Sequence, residues 1–199
     1  MKQVPVSDFL PTLRTMVNVP LDFVMAQAVV EAAAEFCSKS NVLLHTRELD
    51  RVYEYQTIRV VGGSSLNRRT LGGLKTGEIL SVQSKGEPLE KDRDYHLLEK
   101  DAIYFLRDLT DVRIVCSVVP QDGAEYLPDA LFDDWKKGVC AGAASLLLLQ
   151  PDADWAEPGL AAYYETLFNE EVSKARRWRV EASPETTFQN PVRRNRSFF

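Results

Sequence analysis

The sequence predicts an α+β fold. A long N-terminal helix and a C-terminal antiparallel helix hairpin pack with a small antiparallel β-sheet, and an extended C-terminal tail follows. Three observations predict it. Apolar residues recur at three- and four-residue steps within 19–45 and 128–179, the period of a helix with one buried face. Val, Ile, Thr and Tyr concentrate within 47–120, where they suit a pleated surface. After Val180 the periodicity stops, and Ser183-Pro184, Asn190-Pro191 and arginines take over. The 199 residues divide into one domain over 1–180 and a tail over 181–199.

The elements follow in order. Met1 to Asn18 holds two prolines and little period, and is expected to wrap over the surface. Leu21 to Leu44 reads as helix: Pro20 suits a first turn, Asp22 complements the positive helix end, and Val29, Ala32, Ala33, Phe36 and Cys37 form the apolar face. Strands are expected at Arg51 to Val61, Glu78 to Ser84, Tyr95 to Leu98, Ala102 to Leu106 and Val112 to Val119, with a turn at Lys85-Gly86. Gly62 to Gly77 reads as a long loop, a length at which loops are often functional. Pro128 and Asp129 open a helix that runs to Leu149. Asp154-x-x-Glu157 resembles a capping box for a last helix to Arg179, striped by Leu160, Tyr163, Tyr164, Leu167, Phe168 and Val172. Gly138, Ala141, Gly142 and Ser145 give the earlier of these two helices a small-residue face for close packing.

Charge separates the ends. The whole chain carries −5; seven basic and two acidic residues from Lys174 onward give +5 there, so the first 173 residues carry −10. Such a body does not grip nucleic acid over its whole surface, although a basic patch is open to a local contact. Cys37, Cys116 and Cys140 sit in apolar stretches without C-x-x-C spacing and are expected to be buried, reduced thiols. Met1 to Val6 lacks the pattern of a secretory signal, and Val139 to Leu149 is too short to span a bilayer, so no membrane association is expected. His45 and His96 stand apart, which argues against zinc.

No pattern supplies catalytic machinery. Lys75-Thr76 follows Leu74 rather than the glycine of a phosphate loop, and the glycines do not form G-x-G-x-x-G. There is no G-x-S-x-G serine, and Asp133-Asp134 and Glu170-Glu171 are adjacent pairs that diverge on a helix. No enzyme and no cofactor are expected. The tail instead carries Phe188, Phe198 and Phe199 among Arg193, Arg194 and Arg196, residue types enriched at interface hot spots.

Four phrases carry a resemblance. They are Gln27 to Cys37; Ser81-Val82 with Gly86-Glu87-Pro88-Leu89 and Asp94-Tyr95; Leu127-Pro128-Asp129 before Gly142-Ala143; and Pro151, Trp155, Pro158, Leu160-Ala161, Tyr164, Phe168 and Ala175-Arg176. In this order they resemble the head-to-tail adaptors (connectors) of tailed bacteriophages, and the overall plan looks like the tail tubular protein A class. The resemblance covers much of Met1 to Arg179 but not Gly62 to Gly77. It implies a structural protein of the virion neck, made in the host cytoplasm. It implies a homo-oligomeric ring with the twelve-fold symmetry of the portal protein, joined to a tail or nozzle protein. Genomic DNA would pass through the lumen without sequence-specific contact.

On that reading Phe188, Pro191, Arg193, Arg194, Arg196, Phe198 and Phe199 are expected to bind the portal. Asn67, Arg68 and Arg69 are expected to touch a neighbour or the tail. A nucleic-acid-binding module using the basic tail and Arg68-Arg69 is the alternative, as are another neck or tail-completion protein and a hydrolase with a site assembled across the sheet.

Overall fold

Asp22 opens the first long helix close to where the sequence places it, but Pro20 lies outside the first turn, before the N-cap Leu21, and the helix is shorter than expected. In the computed structural model, which describes residues 2–62 and 72–182, α2 spans Asp22–Ser40. Asn41 ends it in the left-handed conformation (φ 53°), its N–H bonded to the Cys37 carbonyl and its side chain donating to Glu78 at 3.0 Å. Asn tolerates that backbone better than most residues. Val42 and Leu43 are then buried, and Leu44 already belongs to a strand.

The segment before α2 is structured. Strand β1 (Gln3–Pro5) leads through a 3-10 turn (Val6–Phe9) into the short helix α1 (Leu10–Leu13). Phe9 and Leu13 are fully buried. The prolines read as a surface wrap, whereas Pro5 ends an edge strand and Pro11 sits at a helix start; both positions need no amide hydrogen.

The expectation of one small sheet is overturned. Nine strands form three antiparallel sheets among the described residues, and the fold mixes helix and strand in comparable weight. The largest sheet orders β2 (Leu44–Val52), β8 (Leu109–Pro120), β4 (Leu74–Ser84) and β5 (Glu87–Pro88) as β2-β8-β4-β5. A second sheet joins β3 (Thr57–Arg59), β7 (Ala102–Phe105) and β6 (Tyr95–Glu99) as β3-β7-β6. The third pairs β1 with β9 (Tyr126–Pro128).

Local chemistry accounts for the split. The run expected as one strand from Arg51 breaks at Tyr53–Gln56, where Tyr55 takes φ 64° without a glycine signal. The Gln56 side chain accepts the Tyr53 N–H at 2.9 Å, and Asp108 accepts the Glu54 N–H at 2.8 Å. These tertiary acceptors stabilise a turn that local propensity opposes. The loop expected from Gly62 to Gly77 is shorter, because β4 begins at Leu74 and pairs with Pro120.

The expected Pro128–Leu149 helix is two. Helix α3 (Asp129–Asp133) breaks at Asp134-Trp135 before α4 (Lys136–Leu148). Helix α5 (Pro158–Glu181) completes the hairpin. Its N-cap is Glu157 with no side-chain cap bond, so Asp154 does not form the capping box its spacing suggests.

The core lies where α2, α4 and α5 meet. Every residue of α4 from Gly138 to Ser145 is buried, so α4 is a central helix enclosed by others. Phe36 packs its ring against Trp135 and Phe168, with centroids 5.8 and 6.0 Å away. The small-residue face performs the expected packing. A Cβ on Gly142 would lie 2.6 Å from the Phe168 ring and 3.1 Å from Ala32; one on Gly138 would lie 2.7 Å from Glu171 Cβ. The helix-facing side of β8 (Val112, Ile114, Cys116 and Val118) is buried as its alternation predicts, while Ser117 and Val119 are buried too.

Candidate functional site

Phe23, Gln27 and Glu31 lie four residues apart and share one stripe of α2, away from the buried stripe of Met25, Val29, Ala32 and Phe36. This second stripe, with Ala26 and Val30, forms one wall of a groove of about 800 Å³. The opposite wall is Pro5–Ser7 and Asp122–Tyr126. Backbone pairing fixes that wall: Pro5 opposes Tyr126 in the β1–β9 ladder, and the Val6 N–H donates to the Glu125 carbonyl at 3.0 Å. Gly123, at φ 74°, makes the turn between.

The groove is apolar inside and aromatic at its edges. Val6 and Val30 are buried, whereas Phe23 is 68% and Tyr126 51% exposed. Large exposed aromatics beside a concave apolar surface are typical of contact sites. Its charge has one sign. Among the described residues Glu31, Asp122 and Glu125 line it and no Lys or Arg does. Lys75 approaches Asp122 at 3.4 Å, but Asp122 is almost fully exposed and the pair is weak. Neither Glu31 nor Glu125 has an ion pair among the described residues.

The far end of the helical layer has the opposite character. Arg176 and Arg177 are exposed on the last turns of α5 without an ion pair among the described residues. Beside them Trp178, half exposed, meets Trp135 edge-on at 6.4 Å. A third surface gathers Tyr53, Tyr55 and Tyr104 at the β2–β3 turn; Tyr55 stacks on Tyr104 at 6.1 Å, and the Arg51 guanidinium lies 4.8 Å from the Tyr53 ring.

Several further polar groups tie turns and sheets together. Asp94 is buried, accepts the Glu90 N–H at 2.9 Å and pairs with Arg107 at 2.9 Å, so the Asp94-Tyr95 phrase is a turn anchor. Arg59 and Asp101, 17% and 13% exposed, pair at 2.6 Å and tie β3 to the β6–β7 turn. Arg47 donates to the carbonyls of Arg59 and Gly62, joining the two larger sheets; its burial lowers its pKa. The three thiols are buried and unpaired. Burial pushes Cys116 up to about 11 and Cys140 up to about 12, and raises Cys37 further. None is a poised nucleophile.

Among the described residues no group of three or more His, Cys, Asp or Glu could hold a metal ion, and no helix is long and apolar enough to cross a membrane. The residues singled out from sequence as contact sites, Phe188, Pro191, Arg193, Arg194, Arg196, Phe198 and Phe199 in the tail and Asn67, Arg68 and Arg69 in the loop, lie outside the described residues. The groove was not anticipated. Its one legible signal is Phe23, an aromatic standing off the apolar stripe of its own helix. The groove's acidic loop is brought there only by the pairing of residues 3–5 with 126–128, which no local pattern announces.

No protein-family model matches the chain, and no curated protein matches it.

Proposed function

We propose that this chain is a structural ring subunit that joins a phage capsid portal to the tail, with DNA passing through the ring and the segment 188–199 anchoring it to the portal. The supporting observation is the asymmetry of the helical layer. An acidic groove edged by Phe23 and Tyr126 lies on one side, and the cationic end of α5 around Arg176 and Arg177 on another. Unlike patches are what a head-to-tail contact needs, and head-to-tail contacts close into rings. The acidic balance of the body suits a conduit, since a basic lumen would hold the phosphate backbone. The order of the sequence phrases between Gln27 and Arg176, which resembles that of the adaptors, supports the same reading. The role is structural rather than enzymatic.

Mixing the full chain with purified portal rings and imaging the product tests this reading. Added density of twelve-fold symmetry on one face of the portal is expected, and it should vanish for the chain ending at Ala182. Portals left bare by the full chain refute the assignment.

Arg176 and Arg177 favour a second reading, a nucleic-acid-binding module. It requires DNA affinity that falls steeply between two salt concentrations in a gel-shift titration. The ring reading expects negligible affinity for free DNA at both.

A further inference from the structure

We propose that the groove between α2 and the β1–β9 ribbon docks segment 188–199 of a second copy of this chain. The groove offers two exposed aromatic edges, Phe23 and Tyr126, an apolar interior at Val30, and three carboxylates, Glu31, Asp122 and Glu125. Segment 188–199 carries three phenylalanines, three arginines and no acidic side chain. The two are complementary in both respects that matter. Phenyl rings fill apolar space between aromatic edges, and guanidinium groups meet carboxylates that have few other partners. A space of about 800 Å³ takes more than one ring.

The chain leaves α5 away from the Phe23 end of its own groove. The last described turn of α5 holds Trp178, which meets Trp135, and Trp135 in turn meets Phe36 near the C-terminal end of α2. Phe23 lies nearly four turns away, roughly 20 Å along α2. The groove runs along α2 from Phe23 to Glu31, and Glu31 is about 8 Å along the axis from Phe36, so the chain exits beyond the Glu31 end and away from the aromatic edge. One copy's exit beside the next copy's groove is a head-to-tail contact, which propagates around a ring.

This goes beyond the portal-anchor reading. It describes where the segment rests when no portal is present, so the portal competes with the neighbour for it. Its test needs no portal, so the two readings fail separately.

Two full-chain variants, Gln27→Cys and Ser197→Cys, are oxidised mildly, alone and mixed. Gln27 is exposed in the groove, and the native thiols are buried, so they do not compete. A disulfide-linked dimer is expected in the mixture about tenfold faster than in either protein alone. That acceleration should shrink at about 0.5 M salt. Adding Glu31→Arg and Glu125→Arg to the first variant should abolish it, and adding Arg194→Glu and Arg196→Glu to the second should restore it. That rescue separates loss of docking from loss of folding. A mixture that dimerises no faster than its components overturns the proposal. So does a dimer indifferent to the charge reversal. If the chain carrying both cysteines closes only within itself, the occupant is its own tail, and the second copy is wrong.

Discussion

Gly142 is the residue whose replacement has the plainest consequence. A methyl group there meets the Phe168 ring at 2.6 Å on one side and Ala32 at 3.1 Å on the other, so neither helix can yield without moving the other. Helix propensity favours alanine over glycine by about 1 kcal/mol, and overpacking costs about 1–3 kcal/mol. Gly142→Ala is therefore expected to lose up to about 2 kcal/mol in urea denaturation. Gly159 is the contrast: nothing lies within 4 Å of its added Cβ, and Gly159→Ala should raise stability by up to about 1 kcal/mol. His45 gives a pH signature. Burial, and then the Arg47 charge, lower its pKa from the ordinary 6.5, so the folded chain binds its proton later than the unfolded chain does. Its contribution to stability is complete above pH 6.5 and is lost as pH falls below that value towards the lowered folded one. The imidazole should titrate below 6.5 by NMR, and His45→Gln should be less acid-sensitive than the native chain in the same window.

Among the elements, β4 is the most irregular, with register shifts between Thr76 and Ile79 and between Ile79 and Ser81. The Ser117 hydroxyl fills the first gap by accepting the Glu78 N–H at 2.8 Å, and Gly77 leaves it room, since a Cβ there would sit 2.6 Å from that oxygen. Ser117→Ala orphans a part-buried amide and is expected to cost about 1–3 kcal/mol by denaturant titration. The second sheet rests on the Arg59–Asp101 pair. Asp101→Ala should destabilise by about 1–2 kcal/mol and raise amide exchange in β6 and β7 before the rest of the molecule responds. These elements also show what the sequence can carry. The strands at Tyr95–Glu99, Ala102–Phe105 and Leu109–Pro120 and helices α2 and α5 were legible from their residue patterns, and α4 from its apolar run, though not its separation from α3. The division into three sheets was not. It hangs on Tyr55 at φ 64°, on acceptors supplied by Gln56 and Asp108, and on β1 finding β9 from more than a hundred residues away. Long-range partners leave no mark on a local window.

At the scale of the whole molecule, the three thiols lie under different parts of the core: Cys37 on α2, Cys116 on β8, Cys140 on α4. Each is buried and held protonated, so the native protein should resist a thiol reagent at neutral pH. All three should then react together at the denaturant midpoint; early labelling of Cys116 alone would show that the sheet opens apart from the helices. The candidate groove went unread in the sequence: Phe23, an aromatic off the buried face of its helix, was its one local signal, while Tyr126 and Glu125 enter it through tertiary pairing. The enclosure of α4 has one further consequence. A helix with glycine and alanine on the faces its neighbours press against has little side-chain bulk of its own to hold it together. It persists only while α2 and α5 are both in place. The folding nucleus must therefore bring together residues from the first fifth and the last fifth of the chain, and synthesis has to reach α5 before the core can form. A ribosome-bound chain stopped at Gln150 should remain protease-sensitive throughout, and one carried past Ala182 and its tail clear of the exit tunnel should not.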